Sequence, residues 1–299
     1  MITGHKYFVS YIKKYIMKLS LFNITNFKVD GGAMFGVVPK VLWNRVYPSD
    51  ANNLIPLSLK SLVVEVNGRV VLFDNGIGNK QDEKFMSHVY AFGGEGLIDG
   101  LAQRGYKPTD ITDVVLTHLH YDHCGGGVYR DSEGNLKLTF PNARYHVSRA
   151  QWEWAINPNP READAYLPEN LLPMRDLGAL NLIEVEGEII PGIELRFFNG
   201  HTRGQIIPII SYRERKLVFV ADLFPFRSHI PLPWIMSYDV EPLTTLKEKE
   251  TFLKESLEGG YIYIYQHDYF ADCSELQFTP KGIRATDGFT FEELMKKLK

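Results

Sequence analysis

Cysteine is scarce in this chain: Cys124 and Cys273 are the only two among 299 residues. That excludes a disulfide-stapled scaffold and fits a reducing, cytoplasmic compartment. Long apolar runs are also missing, none approaching the roughly 18 residues that a membrane-crossing helix needs. Neither sign of charge dominates. Lys and Arg number 33 against 36 Asp and Glu, a net charge of −3, so no overall positive field favours nucleic acid or anionic lipid. No repeat, low-complexity tract or Pro/Gly/Ser-rich linker divides the chain. What is present is a 44% hydrophobic and 23% charged composition, enough for one well-buried core.

Residues 1–16 mix aromatics with lysines and lack both an apolar h-region and a small-residue cleavage site, which disfavours a secretory signal. They read as a peripheral extension, with a partner-docking arm as the alternative, and residues 17–299 as a single domain. Met17 opens a strand-like stretch. Leu62–Val66 and Val70–Phe73 flank Asn67-Gly68, a dipeptide suited to a two-residue hairpin turn. Further strands are expected at Val114–Thr117, Arg144–Val147, Ile193–Phe198, Ile206–Ile210, Leu217–Val220 and Tyr261–Tyr265. Helices are expected at Gly96–Arg104, Ser148–Ile156, Leu243–Leu257 and Phe291–Leu298; the third carries leucines at 243, 246, 253 and 257 over a charged face. Hairpins early and late, with helices between, give a mixed α+β pattern without strict βαβ alternation.

The chemistry concentrates in Thr117-His118-Leu119-His120-Tyr121-Asp122-His123-Cys124-Gly125-Gly126, directly after the apolar run Val114–Leu116. Loops at strand ends are where a rigid scaffold presents reactive groups. Three histidines and an aspartate so close together suit Zn²⁺ or a similar divalent ion. In an extended segment His118, His120 and Asp122 share a face, while His123 points elsewhere unless the chain turns. Three more ligand-type residues recur at strand ends: His201 in the glycine-flanked Asn199–Gln205 loop, Asp222 after Leu217–Ala221, and His267 after Tyr261–Tyr265.

Together His-x-His-x-Asp-His at 118–123, Gly-His-Thr at 200–202, Ala-Asp-Leu at 221–223 and His267 resemble the metallo-β-lactamase superfamily, across nearly all of Met17–Lys299. The resemblance implies a four-layer αββα sandwich of two mixed sheets with helices outside. It assigns His118, His120 and His201 to one metal ion, Asp122, His123 and His267 to a second, and Asp222 to a bridge between them. Asp74, in Leu-Phe-Asp-Asn-Gly at 72–76, matches an early motif whose aspartate supports the site. Two divalent ions, zinc first among them, would then share a water and make hydroxide available near neutral pH. Asp122 and Asp222 are the candidate catalytic residues, Asp122 holding the hydroxide or returning a proton to the leaving group.

Within the superfamily, an aspartate at 222 disfavours true β-lactamases, and the charge balance weighs against nucleic-acid-processing members. The N-terminal Gly32–Lys40 stretch with Trp43, together with Asp222-Leu223-Phe224 and His267-Asp268, resembles the branch of N-acyl homoserine lactonases and organophosphate (methyl parathion) hydrolases. That implies hydrolysis of a lactone or related ester, with quorum quenching as the biological role, and dimers are frequent in such proteins. A phosphotriesterase or arylesterase is the alternative enzyme, and a metal-binding or sensor protein the alternative of another class. Lactonases of this kind often carry a tyrosine shortly after the bridging aspartate. Here Leu223, Phe224, Pro225 and Phe226 follow, which leaves that role to a residue such as Tyr121 or Tyr238, or vacant. Met34, Phe35, Phe224, Phe226, His229 and Trp234 are expected to line an apolar substrate pocket.

Overall fold

The computed structural model describes residues 15–299. Of the expected extension, residues 1–14 lie outside that range. Tyr15 lies within it, packs against the central core and donates a hydrogen bond to Glu188 Oε1 at 2.8 Å.

Two six-stranded sheets divide the chain almost cleanly. The first contains β1 (Met17–Asp30), β2 (Leu54–Val66), β3 (Arg69–Phe73), β4 (Asp113–Val115), β5 (Arg144–Ser148) and β6 (Leu180–Ile183), side by side in sequence order. β1, β2 and β3 pair antiparallel; β3 to β6 are parallel. The second contains β7 (Gly187–Ile190), β8 (Ile193–Phe198), β9 (Gln205–Tyr212), β10 (Arg215–Phe219), β11 (Ile262–Ile264) and β12 (Cys273–Ser274), again in sequence order. Only β10 and β11 run parallel there. Small two-stranded sheets, 128–138 and 276–285, lie outside both.

The β2–β3 turn is the expected one: Asn67 (φ 49°) and Gly68 (φ 76°) both take the left-handed conformation that a tight hairpin requires. Alternation of side chains between the two faces of each strand explains the layering. Leu62, Val64, Phe73 and Val115 of the first sheet meet Leu195, Ile206, Phe219 and Ile264 of the second in one apolar layer. The opposite face of the first sheet is covered by Leu101, Trp152, Leu171 and Met174 from helices. The outer face of the second packs on Phe252 and Leu253 of the helix Pro242–Glu258. This is the αββα sandwich.

That helix corrects the expected leucine stripe. Leu253 is buried, but Leu243 is 80% exposed, and the buried face is Thr245, Lys249, Phe252, Leu253 and Ser256. The strand expected at Leu62–Val66 begins earlier, at Leu54, and the other expected elements hold within a few residues; Ser148 caps the helix Arg149–Ala155, accepting from Gln151 N at 3.0 Å. Among the described residues no helix is long and apolar enough to cross a membrane.

Candidate active site

Every sequence-derived ligand candidate sits just past the C-terminal end of a strand. His118, His120, Asp122 and His123 follow β4; His201 lies between β8 and β9, Asp222 follows β10, and His267 follows β11. The loop after β4 can wind this tightly because Gly125 and Gly126 press on the backbone oxygens of Ile77 and Asn75, where any Cβ would collide. A one-turn helix, Tyr121–Cys124, swings His123 back to the same centre as its neighbours. Alternation along an extended strand places it elsewhere.

The seven side chains converge. His118 Nε2 and His201 Nε2 lie 3.0 and 3.2 Å from His120 Nδ1. His123 Nε2 and His267 Nε2 are 3.2 Å apart, with Asp122 Oδ2 3.5 Å from the first and 3.7 Å from the second. Asp222 joins the groups: Oδ2 is 3.2 Å from His201 Nε2, and Oδ1 is 3.0 Å from His267 Nε2 and 3.5 Å from His123 Nε2.

Hydrogen bonding behind the rings fixes which nitrogens face inward. His267 Nδ1 donates to the Ser58 carbonyl at 2.9 Å, so Nε2 is the nitrogen turned toward the other donors. His123 Nδ1 is bonded to Asp74 Oδ2 at 2.9 Å and His201 Nδ1 to Asp239 Oδ1 at 2.9 Å. Asp74 also accepts from Thr117 N and Oγ1, each at 2.7 Å. It adopts φ 52°, as Ala221 beside Asp222 adopts φ 39°; such strain concentrates at functional sites.

This donor set fits a pair of divalent cations. Lone pairs packed about 3 Å apart repel unless a cation lies among them. Asp222 Oδ1 is buried without a hydrogen-bond partner, as a carboxylate oxygen reserved for a metal would be. Burial and neighbouring imidazoles hold His118 and His120 well below the usual histidine range, so they stay unprotonated as ligands must. Burial opposes charge on Asp222, yet His267, His123 and His201 outweigh it and keep the carboxyl well below its ordinary range. His118, His120 and His201 could hold one ion, and Asp122, His123 and His267 the other.

A cavity of about 450 Å³ opens over these groups. Phe27, Val29, Met34, Leu57 and Met236 form an apolar wall; Tyr121, Arg161, Glu162 and Tyr238 supply the polar one. The expected pocket residues are only partly there. Met34 lines the cavity, but Phe35, Phe224, Phe226, His229 and Trp234 do not. Phe35, Phe224, Phe226 and His229 are essentially fully buried. Phe35 stacks between Trp43 and His229, with centroids 5.1 and 4.9 Å away, and meets Trp234 edge-on at 5.7 Å. His229 Nε2 donates to the Met34 carbonyl at 2.8 Å. These side chains have better apolar partners behind the wall than in front of it.

Sequence reasoning missed several groups that shape the site. Asp239 and Ser58, which orient His201 and His267, carry no local motif. Tyr166, whose ring lies 4.9 Å from His120 and whose hydroxyl meets Thr202 Oγ1 at 2.6 Å, follows an irregular stretch. For Asp239 alone a signal exists, an acid in a proline-rich loop before a helix, but it is too common to single out.

The profile of the metallo-beta-lactamase superfamily matches residues 56–267. An N-acyl homoserine lactonase of Bacillus cereus is 26% identical over 178 residues, which cover 56% of this chain and 64% of that protein. The match therefore spans less than two thirds of that curated relative. A Staphylococcus aureus structure described as a probable metal-dependent hydrolase superposes with a TM-score of 0.83 at 30% identity, covering 91% of this chain and 96% of that one. AidC, a dizinc quorum-quenching lactonase solved with N-hexanoyl-L-homoserine product, shares the fold at TM-score 0.75 and 21% identity, covering 92% and 97%. With the family profile spanning more than two thirds of its residues, the chain belongs to the metallo-β-lactamase superfamily.

Proposed function

We propose that this protein is a metal-dependent hydrolase that opens a lactone ring, of the N-acyl homoserine lactone type, and so acts in quorum quenching. The observation that carries the reading is the double orientation of Asp222, one oxygen toward His201 and the other toward His123 and His267. His118, His120 and His201 would hold one ion and Asp122, His123 and His267 another, with Asp222 between and zinc the leading candidate. Two such ions supply Lewis acidity that polarises a carbonyl and acidifies water toward neutral pH.

The chain's own residues account for the rest. Asp122 is half-buried at the cavity floor, where its carboxylate takes a proton from the attacking water and passes it to the departing ring oxygen. The hydroxyls of Tyr121 and Tyr238 line the same cavity with no hydrogen-bond acceptor among the described residues; they are free to donate to substrate oxygens. Burial and the Asp122 charge push the Tyr121 phenol above its ordinary range, so it keeps its proton. Phe27, Val29, Met34, Leu57 and Met236 give an acyl chain somewhere dry to lie and keep bulk water from the carbonyl.

The deciding experiment is metal analysis of the purified protein, followed by pH-stat titration with acyl homoserine lactones, aryl esters and phosphotriesters. Proton release with lactones is expected. Silence there with rapid phosphotriester cleavage would move the activity to that substrate class. About two equivalents of metal with no hydrolysis anywhere would make this a binding protein.

A further inference from the structure

Between Phe226 and Val240 the chain runs as an irregular strap with no regular secondary structure beyond a single turn at Arg227–His229. The strap contributes Met236, Ser237 and Tyr238 to the cavity and Asp239 to His201. A segment this irregular has backbone carbonyls with no ladder to join, and something must satisfy them.

Short turns within the strap and Arg161 satisfy some of them; for the carbonyls of His229 and Trp234 the donor is Lys249. This residue lies on the buried face of the helix Pro242–Glu258 and is 1% exposed. Its Nζ donates to the carbonyls of His229 and Trp234, each at 2.7 Å, and reaches that of Pro231 at 3.4 Å. The ammonium also sits 5.5 Å from the Phe224 ring centroid. Burying such a charge is costly, and a methionine of similar length would fill the space more cheaply. The ammonium supplies what methionine lacks, three donors aimed at one loop.

We propose that Lys249 is a positioning residue whose buried ammonium holds the Phe226–Val240 strap in the shape that forms the cavity wall and aims Asp239 at His201, so that substrate affinity depends on that charge. Two other titratable groups face it. His229, on the strap, is pushed down to about 3 by burial and by Lys249 itself, so it stays neutral and does not compete for the carbonyls. Asp239 favours the ammonium without hydrogen-bonding to it, while burial pulls the amine down to about 7. Below that value three N–H groups and a full charge face the strap; above it two N–H groups and no charge remain.

Hydrogen exchange of the metal-loaded full chain tests the positioning without any assay of turnover. In Lys249→Met the amides of 229–240 should exchange about tenfold faster than in the wild type, with the two sheets unchanged. Lys249→Arg, charged at every accessible pH, should restore protection. The kinetic arm rests on the hydrolase reading: KM should rise about tenfold in Lys249→Met with kcat within about threefold. Between about pH 6 and pH 9 the wild-type KM should climb while that of Lys249→Arg stays flat. Unchanged exchange in the methionine variant would overturn the proposal. If that variant does not fold, the wild type and Lys249→Arg decide it: parallel pH profiles of strap exchange, corrected for intrinsic rates, would overturn it equally. Absence of hydrolysis beside faster strap exchange would remove the hydrolase reading and leave this one standing.

Discussion

Asp74 Oδ2 lies 2.9 Å from His123 Nδ1, on the side of the ring turned away from the cluster of donors. The aspartate fixes the ring's tautomer and raises the basicity of the nitrogen that points inward. Replacing Asp74 by alanine should weaken metal binding by about 10- to 100-fold, measured by competition with a chromophoric chelator. It should also lower the melting temperature, because Thr117 N and Oγ1 lose their acceptor. Wild-type affinity in that variant would mean the contact is incidental.

Asp222 stands between the two sets of histidines, so its loss should be felt by both. Asp222→Ala is expected to reduce bound metal from about two equivalents to one or fewer, and to lower turnover by at least about a hundredfold. Elemental analysis of the dialysed protein reads the first and lactone titration the second. Two ions retained with full turnover would reject the bridging role.

Tyr121 reaches the cavity with an uncommitted hydroxyl and is steadied by edge-on packing against Phe85, centroids 5.1 Å apart. Tyr121→Phe removes one oxygen atom and leaves that packing intact. If the hydroxyl donates to the reacting carbonyl, kcat should fall about 10- to 100-fold with metal content unchanged. Equal kinetics would pass the role to Tyr238 or to none.

Metal removal should cost stability as well as activity. Anything bound to the folded chain and not to the unfolded one raises the melting temperature in proportion to the logarithm of its excess over Kd. Chelation is expected to lower that temperature, and restored zinc to recover both properties. Turnover undiminished after exhaustive chelation would contradict the whole reading of the site.

Acid stability depends on a different cluster. Burial opposes the charge of Asp113, but bonds from His146 (2.7 Å), Arg69 (2.9 Å) and Thr112 (2.7 Å) hold its carboxyl far below the ordinary range. Because the folded-state pKa is the lower one, the unfolded chain takes up the proton first as pH falls. The stabilisation is therefore complete above about pH 4 and drains away below it. Urea melts of Asp113→Asn should show lower stability at neutral pH and a shallower decline into acid.

The sequence announced the seven converging side chains because each follows an apolar strand, and a polar residue abruptly ending such a run is conspicuous. The hairpin at Asn67-Gly68 was legible for the same kind of reason, a local backbone demand with few residues to meet it. The pocket wall was harder. Met34, Phe35, Phe224, Phe226 and Trp234 sit in segments without periodicity, so their hydrophobicity says that they pack and leaves open against what. Four of the five turned from the cavity toward apolar neighbours. Asp239 and Lys249 were hidden for the converse reason: each looks like an ordinary surface charge until tertiary packing encloses it. Leu243 and Lys249 exchange the places their polarity predicts, because the strap needs a donor beneath it more than the helix needs another leucine.

The division of the donors between the two sheets has one further consequence. Residues 17–183 carry the first sheet with four ligand candidates, and residues 187–274 carry the second with three. Neither portion owns a complete coordination sphere. Under the proposed assignment, a chain nicked near Glu184–Glu186 would be held by the ions as well as by its core, a rivet between halves that each supply only part of a site.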